Sequence, residues 1–266
     1  MKKRIDFQGQ AIHYTDQGKG SALVLLHGFM ESTAMWDDFA PALAADFRVI
    51  CIDLPGHGQS PVYQGQLSME IMADWVKAVL NGLEVSRCTL VGHSMGGYVS
   101  LAFADRYPEM LSGFCLFHSH ASSDTAEAKE NRRRTINIVN LNKGGFILNF
   151  IPDLFAPDNI DKYQQKIEKM QAQASLMPAE AIVAALEAMR DRSGKIEFLL
   201  NTRLPVLFIV GKEDARIPVQ KVMAQAILPP HAEVLILAGV GHVGFVEARQ
   251  KTLEMIRSFA QRVQFN

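Results

Sequence analysis

Residues 88–96 constrain this chain more than any other stretch. The apolar run Cys88-Thr89-Leu90-Val91 leads directly into Gly92-His93-Ser94-Met95-Gly96, and Gly97-Tyr98-Val99-Ser100-Leu101-Ala102-Phe103-Ala104 follows. The order reads as a strand, a sharp turn and a helix. Glycines 92 and 96 bracket a serine whose backbone must be crowded, because a side chain at either position would clash across the turn. That geometry lifts the Ser94 hydroxyl above the sheet edge, at the N-terminus of the following helix. There the helix dipole and free N–H groups favour developing negative charge.

The surrounding pattern says what kind of sheet this is. Segments 4–7 and 11–14, turned by Gln8-Gly9-Gln10, read as an antiparallel pair. A buried strand at 22–26 ends in His27-Gly28-Phe29. Residues 35–45 have helical spacing, with Trp36, Phe39, Ala40 and Leu43 on one side. The next strand, 47–52, runs into Asp53-Leu54-Pro55-Gly56-His57-Gly58. Residues 69–83 repeat apolar positions at Met72, Trp75, Val76, Val79 and Leu80, an amphipathic helix. Another strand spans 111–117. Alternation resumes late, with strands at 206–210 and 232–237 and helices at 219–228 and 246–259. It predicts an α/β fold: a mostly parallel eight-stranded sheet flanked by helices. Between 121 and 200 the only signals are helical, at 125–141, 158–175, 178–189 and 197–201, interrupted by Gly144-Gly145, Pro152 and Pro157. We expect a core domain of residues 1–120 and 201–266, with a helical cap inserted at 121–200.

Composition excludes several classes. The chain has 266 residues, 48% of them hydrophobic, which is enough for a full core. A formal net charge of −1 gives no electrostatic case for nucleic acid or a membrane surface as partner. The three cysteines, Cys51, Cys88 and Cys115, each sit in an apolar strand-like run. An odd number in such places reads as buried thiols of a reducing compartment, and the spacing is not that of metal ligands. Met1-Lys2-Lys3-Arg4 is basic, but no apolar stretch follows, so no secretory signal is expected. Runs such as Leu23-Val24-Leu25-Leu26 are too short to span a bilayer. The expected location is the cytoplasm.

A serine becomes a nucleophile only beside a base, and the base needs an orienting acid. The strand at 206–210 ends in Gly211-Lys212-Glu213-Asp214, a polar loop at the C-terminal end of a parallel strand, where ligand-facing residues collect. Asp214 is the candidate acid; Glu213 competes with it, and a helix-capping turn before Pro218 is the alternative role. The strand at 232–237 ends in Ala238-Gly239-Val240-Gly241-His242, which makes His242 the candidate base. His57 lies in a Gly-Pro turn, His93 is expected to face away from the base, and His13 and His231 fit surface positions. Oxyanion donors are expected at the N–H of Met95 and the N–H of Phe29, with Gly28 allowing the turn. His118-Ser119-His120 follow the strand at 111–117 on the same edge. His118, His120 and Gly28 are candidates for substrate contact, with polar lining at the base of the cap as the alternative for the histidines. Arg132-Arg133-Arg134 point in three directions on a helix, so no more than one faces inward. Met170, Met177 and Met189, with Phe146, Phe150 and Phe155, supply soft apolar surface for a pocket or for core.

Taken together, His27-Gly28-Phe29, Asp53-Leu54-Pro55-Gly56-His57-Gly58-Gln59-Ser60, Gly92-His93-Ser94-Met95-Gly96-Gly97, Asp214 before Pro218, and Gly241-His242 resemble the α/β-hydrolase fold superfamily along nearly the whole chain. Within it the chain is similar to small capped esterases and lactonases that use no cofactor, including the 3-oxoadipate enol-lactonase-like and cofactor-free haloperoxidase-like groups. The resemblance implies a triad of Ser94, Asp214 and His242, and a cap that governs substrate choice. It implies no metal and no organic cofactor. Serine at the turn separates the chain from the dehalogenases and epoxide hydrolases, which place Asp there. The expected activity is hydrolysis of a small, partly apolar carboxylic ester, lactone or thioester through an acyl-enzyme on Ser94. The same triad also serves C–C bond hydrolysis, acyl transfer and perhydrolysis, and some hydrolase-like proteins act as small-molecule receptors. The natural substrate and the oligomeric state are not encoded in any motif.

Overall fold

The computed structural model describes residues 2–264. Strands β1 (Lys2–Phe7), β2 (Gln10–Gln17), β3 (Ala22–Leu26), β4 (Arg48–Ile52), β5 (Cys88–His93), β6 (Leu111–Phe117), β7 (Val206–Gly211) and β8 (Ala232–Leu237) form one sheet. Their order is β1-β2-β4-β3-β5-β6-β7-β8. The pairs β1–β2 and β2–β4 are antiparallel, and every pairing from β4 to β8 is parallel. Burial explains the sequence of each strand. In β3, β5, β6 and β7 every residue is buried, so these strands read as unbroken apolar runs covered on both faces. In β2 burial alternates, with Gln10, Ile12 and Tyr14 facing the core. Edge strand β8 stays mostly half-exposed.

The helices that cover the sheet are α1 (Ala40–Leu43), α2 (Met69–Gly82) and α3 (Met95–Arg106), with α4 (Ala126–Phe150), α5 (Gln164–Ser175), α6 (Ala179–Asp191) and α7 (Ile196–Asn201) between β6 and β7. After β7 come α8 (Val219–Ala226), α9 (Gly244–Glu247) and α10 (Arg249–Val263). Helix α2 starts where the Ser68 hydroxyl accepts a hydrogen bond from the Ile71 N–H, and it buries Met69, Met72, Trp75, Val76, Val79 and Leu80. Helix α3 is buried from Met95 to Ala104, because it packs between the sheet and α2. Among the described residues, the chain between β6 and β7 contains helices and turns but no strand.

Three helical expectations are corrected. The stretch 35–45 is not one helix. It is a 3-10 turn, Thr33–Trp36, followed by the single turn of α1. Pro41 lacks an N–H and restricts the residue before it, so it sits at the start of a helix rather than inside one. The Gly144-Gly145 pair does not end a helix. Helix α4 continues to Phe150 across a kink at Asn142, where φ is −154° and ψ is 75°. The Asn142 side-chain oxygen accepts from the Gly145 N–H at 2.9 Å, so it restarts the helix as an N-cap does. Helix α5 begins at Gln164 rather than 158, after 3-10 turns at Pro157–Asn159 and Asp161–Tyr163.

Cys51, Cys88 and Cys115 are buried and unpaired, as expected, and burial pushes the Cys51 and Cys88 thiols up to about 12. Among the described residues, no helix is long and apolar enough to cross a membrane.

The packing makes a direct prediction. Phe114 on β6 is fully buried, so Phe114→Ala should cost about 3–5 kcal/mol. Leu141 on α4 is 87% exposed, so Leu141→Ala should stay within about 0.5 kcal/mol of wild type. Urea unfolding of the two variants side by side checks both.

Candidate active site

The residues singled out above converge at the C-terminal edge of the parallel strands. Ser94 follows β5, Asp214 follows β7, and His242 follows β8. Ser94 has φ +50° and ψ −111°, a conformation that non-glycine residues rarely adopt. It is held there on both sides of the residue. Its N–H donates to the Phe117 carbonyl at 2.8 Å, and the Ser119 hydroxyl donates to the Ser94 carbonyl at 2.8 Å. The flanking glycines are sterically required. A Cβ at Gly92 would lie 2.1 Å from the Gly96 carbonyl oxygen, and one at Gly96 would lie 2.7 Å from the carbonyl oxygens of Leu26 and His27.

The hydroxyl of Ser94 lies 2.8 Å from His242 Nε2, and His242 Nδ1 lies 2.8 Å from Asp214 Oδ2. An ionised carboxylate only accepts, so Nδ1 carries the hydrogen and Nε2 is free to take the serine proton. Ser94 is half-buried, while Asp214 and His242 are buried. Asp214 Oδ1 also accepts from the N–H groups of Arg216 and Ile217, both at 2.9 Å. The carboxylate therefore orients the imidazole and shapes its own turn at once. Burial alone would raise the Asp214 carboxyl, but the His242 and His118 imidazoles beside it win and hold it far below the usual carboxylate range. Glu213, the competing acid, is exposed.

The N–H groups of Phe29 and Met95 have no hydrogen-bond partner among the described residues. Met95 opens α3, where unpaired N–H groups are expected. The Phe29 ring packs edge-on against Phe150 of α4, with centroids 5.6 Å apart, and Phe150 stacks on Phe146. Beside the Phe29 loop lies a narrow cleft lined by Met30, Glu31, Met35, Met170, Gln173 and Phe245, with Lys166 and Lys169. Met177 lines the neighbouring opening by Met30 and Glu31.

Four placements differ from expectation. His118 turns into the protein. Its backbone has φ +50°, and its fully buried ring donates from Nδ1 to Asp214 Oδ2 at 3.0 Å. Its Nε2 accepts from the Gly244 N–H at 3.2 Å, which uses both nitrogens. His120 is turned toward α3, where Nε2 meets the Tyr98 hydroxyl at 3.3 Å and Nδ1 accepts from the Ser122 N–H at 3.1 Å. Gly28 offers no N–H to a substrate, because that group donates to Glu31 Oε2 at 2.7 Å. His93 does not face away from the base. Its Nε2 lies 2.8 Å from the His242 carbonyl oxygen, and its ring centroid lies 5.1 Å from that of His242.

Of the three consecutive arginines, Arg132 turns inward and pairs with Asp124 at 2.5 Å, while Arg133 and Arg134 reach Glu130 on the exposed face. Asp124 also holds Arg192, whose guanidinium stacks 3.9 Å over the Tyr98 ring. Glu31 has no counterpart in the sequence reading. The signal for it was a carboxylate just past a buried strand end with no basic neighbour in sequence.

The buried histidines make stability pH-dependent. Burial pushes His57 and His120 down to about 3 and His118 down to about 4. Below about 6.5 the unfolded chain takes up protons that these rings refuse when folded. Each therefore removes on the order of 1.4 kcal/mol of stability per pH unit as pH falls from about 6.5 toward its folded value. Asp214, held low, keeps its contribution until pH drops below the ordinary carboxylate value of about 4. Urea unfolding at about pH 7 and about pH 5 should show a loss of several kcal/mol at the lower pH, and an unchanged midpoint would contradict this assignment.

Comparison with known proteins agrees with this architecture. The family described as alpha/beta hydrolase fold matches residues 21–163. A thermophilic esterase from Thermogutta terrifontis, solved with malate bound, superposes with a TM-score of 0.92 at 33% identity over 99% of each chain. The dihydrolipoyllysine-residue acetyltransferase component of the acetoin cleaving system of Pseudomonas putida is 30% identical over 91% of this chain, which spans 64% of that longer protein. The pimeloyl-[acyl-carrier protein] methyl ester esterase of Aeromonas hydrophila is 28% identical over 91% of this chain and 96% of its own length. With its strand order and the turn at Ser94, the chain belongs to the alpha/beta hydrolase fold family.

Proposed function

We propose that the chain is a serine hydrolase that cleaves a small carboxylic ester, lactone or thioester through an acyl-enzyme on Ser94. One observation carries the reading: the unbroken pair of 2.8 Å contacts from Ser94 Oγ through His242 to Asp214. His242 Nε2 takes the hydroxyl proton as Ser94 Oγ attacks the substrate carbonyl carbon. Asp214 stabilises the imidazolium that results, and the N–H groups of Phe29 and Met95 hold the oxyanion. As the C–O or C–S bond breaks, His242 gives its proton to the leaving group. It then takes a proton from water as the water oxygen attacks the acyl carbon, and returns that proton to Ser94 Oγ as the acyl–Oγ bond breaks and the acid leaves.

The helices at 121–200 act in this proposal as a lid. Phe150 already covers the Phe29 ring from that segment. The soft lining of Met30, Met35, Met170 and Phe245 suits a substrate with an apolar portion. The full-length likeness to an esterase and to a methyl ester esterase supports an ester as the scissile group. The unpaired buried thiols support a reducing compartment, the cytoplasm.

Hydrolysis of p-nitrophenyl esters from acetate upward, by wild type and Ser94→Ala, tests the reading. The variant should lose on the order of 10⁶ in kcat. Survival of more than about a hundredth of the activity would end the serine mechanism. If no ester is turned over but a fluorophosphonate labels Ser94, the reaction shifts to a lactone or a C–C bond. If Ser94 is not labelled either, the receptor reading takes its place.

A further inference from the structure

A second buried carboxylate and imidazole lie beside the proposed triad. Glu31 Oε2 accepts from the Gly28 N–H at 2.7 Å and lies 2.9 Å from His93 Nδ1. His93 Nε2 lies 2.8 Å from the His242 carbonyl oxygen. A carbonyl oxygen only accepts, so Nε2 carries a hydrogen. The Gly28 N–H bonded to Oε2 favours the ionised form of Glu31, in which Oε2 only accepts and Nδ1 carries a hydrogen too. With both nitrogens protonated, His93 is a cation. The site is sealed, with the His93 and Glu31 side chains 1% and 5% exposed.

We propose that Glu31 and His93 form a standing carboxylate–imidazolium clamp that positions the oxyanion loop, the serine turn and the base loop relative to one another. Each of its contacts falls on or next to a proposed catalytic group. Gly28 precedes Phe29, His93 precedes Ser94, and the carbonyl belongs to His242 itself. Stability alone does not account for the clamp. A buried ion pair is commonly no better than apolar side chains of the same size. This one also leaves Glu31 Oε1 buried without a hydrogen bond among the described residues. Gly28 leaves the space for it, because a Cβ there would lie 2.5 Å from Glu31 Oε2 and 2.7 Å from His93 Nδ1.

The pair is enclosed by other rings and ionisable groups. The His93 ring faces His242 at 5.1 Å and His118 at 5.9 Å between centroids, and the Phe117 and Phe245 rings close the remaining sides. Asp214 acts on His93 from behind His242, while His27 and His57 act on Glu31. Burial keeps His27, His57 and His118 neutral. Burial also works against the charge on His93, but the Glu31 carboxylate outweighs it and raises the ring above its usual range.

The kinetic test rests on the serine-hydrolase reading; the spectroscopic one does not. The rate of fluorophosphonate labelling of Ser94 is measured against pH for wild type, Glu31→Gln and Glu31→Asp. Glu31→Gln removes the carboxylate that holds the His93 imidazolium, so the plateau should fall about tenfold and His93 should lose its second proton. Glu31→Asp keeps the charge and should keep the doubly protonated ring and recover part of the plateau. An unchanged plateau in Glu31→Gln, or a doubly protonated His93 in that variant, would overturn the clamp as a positioning device. Long-range ¹H–¹⁵N spectra of the wild type need no variant to fold. They should show both His93 nitrogens still protonated above the pH of about 6.5 at which an ordinary imidazole loses its proton, and a neutral ring there would also overturn the proposal. If wild type is not labelled at all, the serine-hydrolase reading fails while the His93 spectrum still decides the charge state of the pair.

Discussion

The site depends on a strained backbone at Ser94. Its φ of +50° is disfavoured for any side chain beyond hydrogen. The compensation comes from β6, whose last carbonyl accepts the Ser94 N–H, and from Ser119 just beyond it. The turn can be held this way only because β5 and β6 are parallel neighbours with their C-terminal ends side by side. The parallel order, the apolar central strands and the glycines at 92 and 96 are thus parts of one requirement. The chain must hold a serine in a conformation it would not adopt alone, with its hydroxyl clear of the sheet.

Charge at the site is governed by burial and by who faces whom. Asp214 is removed from water, which by itself opposes ionisation, yet two imidazole N–H groups and two backbone N–H groups point at its oxygens. That surplus of donors decides the balance in favour of the anion. His118, held between Asp214 and the Gly244 N–H, acts as a neutral donor to Oδ2, the same carboxylate oxygen that His242 uses. Around Glu31 the same competition ends the same way, with His93 as the deciding partner. Two carboxylates and their imidazoles therefore stand side by side at one edge, each carboxylate ionised because of an imidazole brought in from another strand.

Much of the fold was legible because its causes are local. Strands buried on both faces must be apolar throughout, so β3, β5, β6 and β7 announce themselves. The serine turn is legible because the clash that forbids side chains at 92 and 96 acts within a few residues. The partners of the proposed triad follow from loops at strand ends. What was not legible depends on contacts distant in sequence. Glu31 and His93 are 62 positions apart, and only the fold brings them together. The inward turn of His118 depends on a positive φ that no composition signals. The kink at Asn142 depends on a side chain two residues before the glycine pair, which recaps the helix and carries it past them. Pro41 was readable in principle, but the apolar spacing around it masked it.

The three thiols have a practical consequence for anyone handling this protein. Cys51 lies on β4, Cys88 on β5 and Cys115 on β6, so together they sample the middle of the sheet. Each is buried, and burial suppresses the thiolate that alkylating reagents need. An added maleimide or iodoacetamide therefore meets no reactive sulfur while the sheet is closed. The cysteines serve as a built-in clock for global opening, and their modification rate reads the lifetime of the folded state without any engineered label.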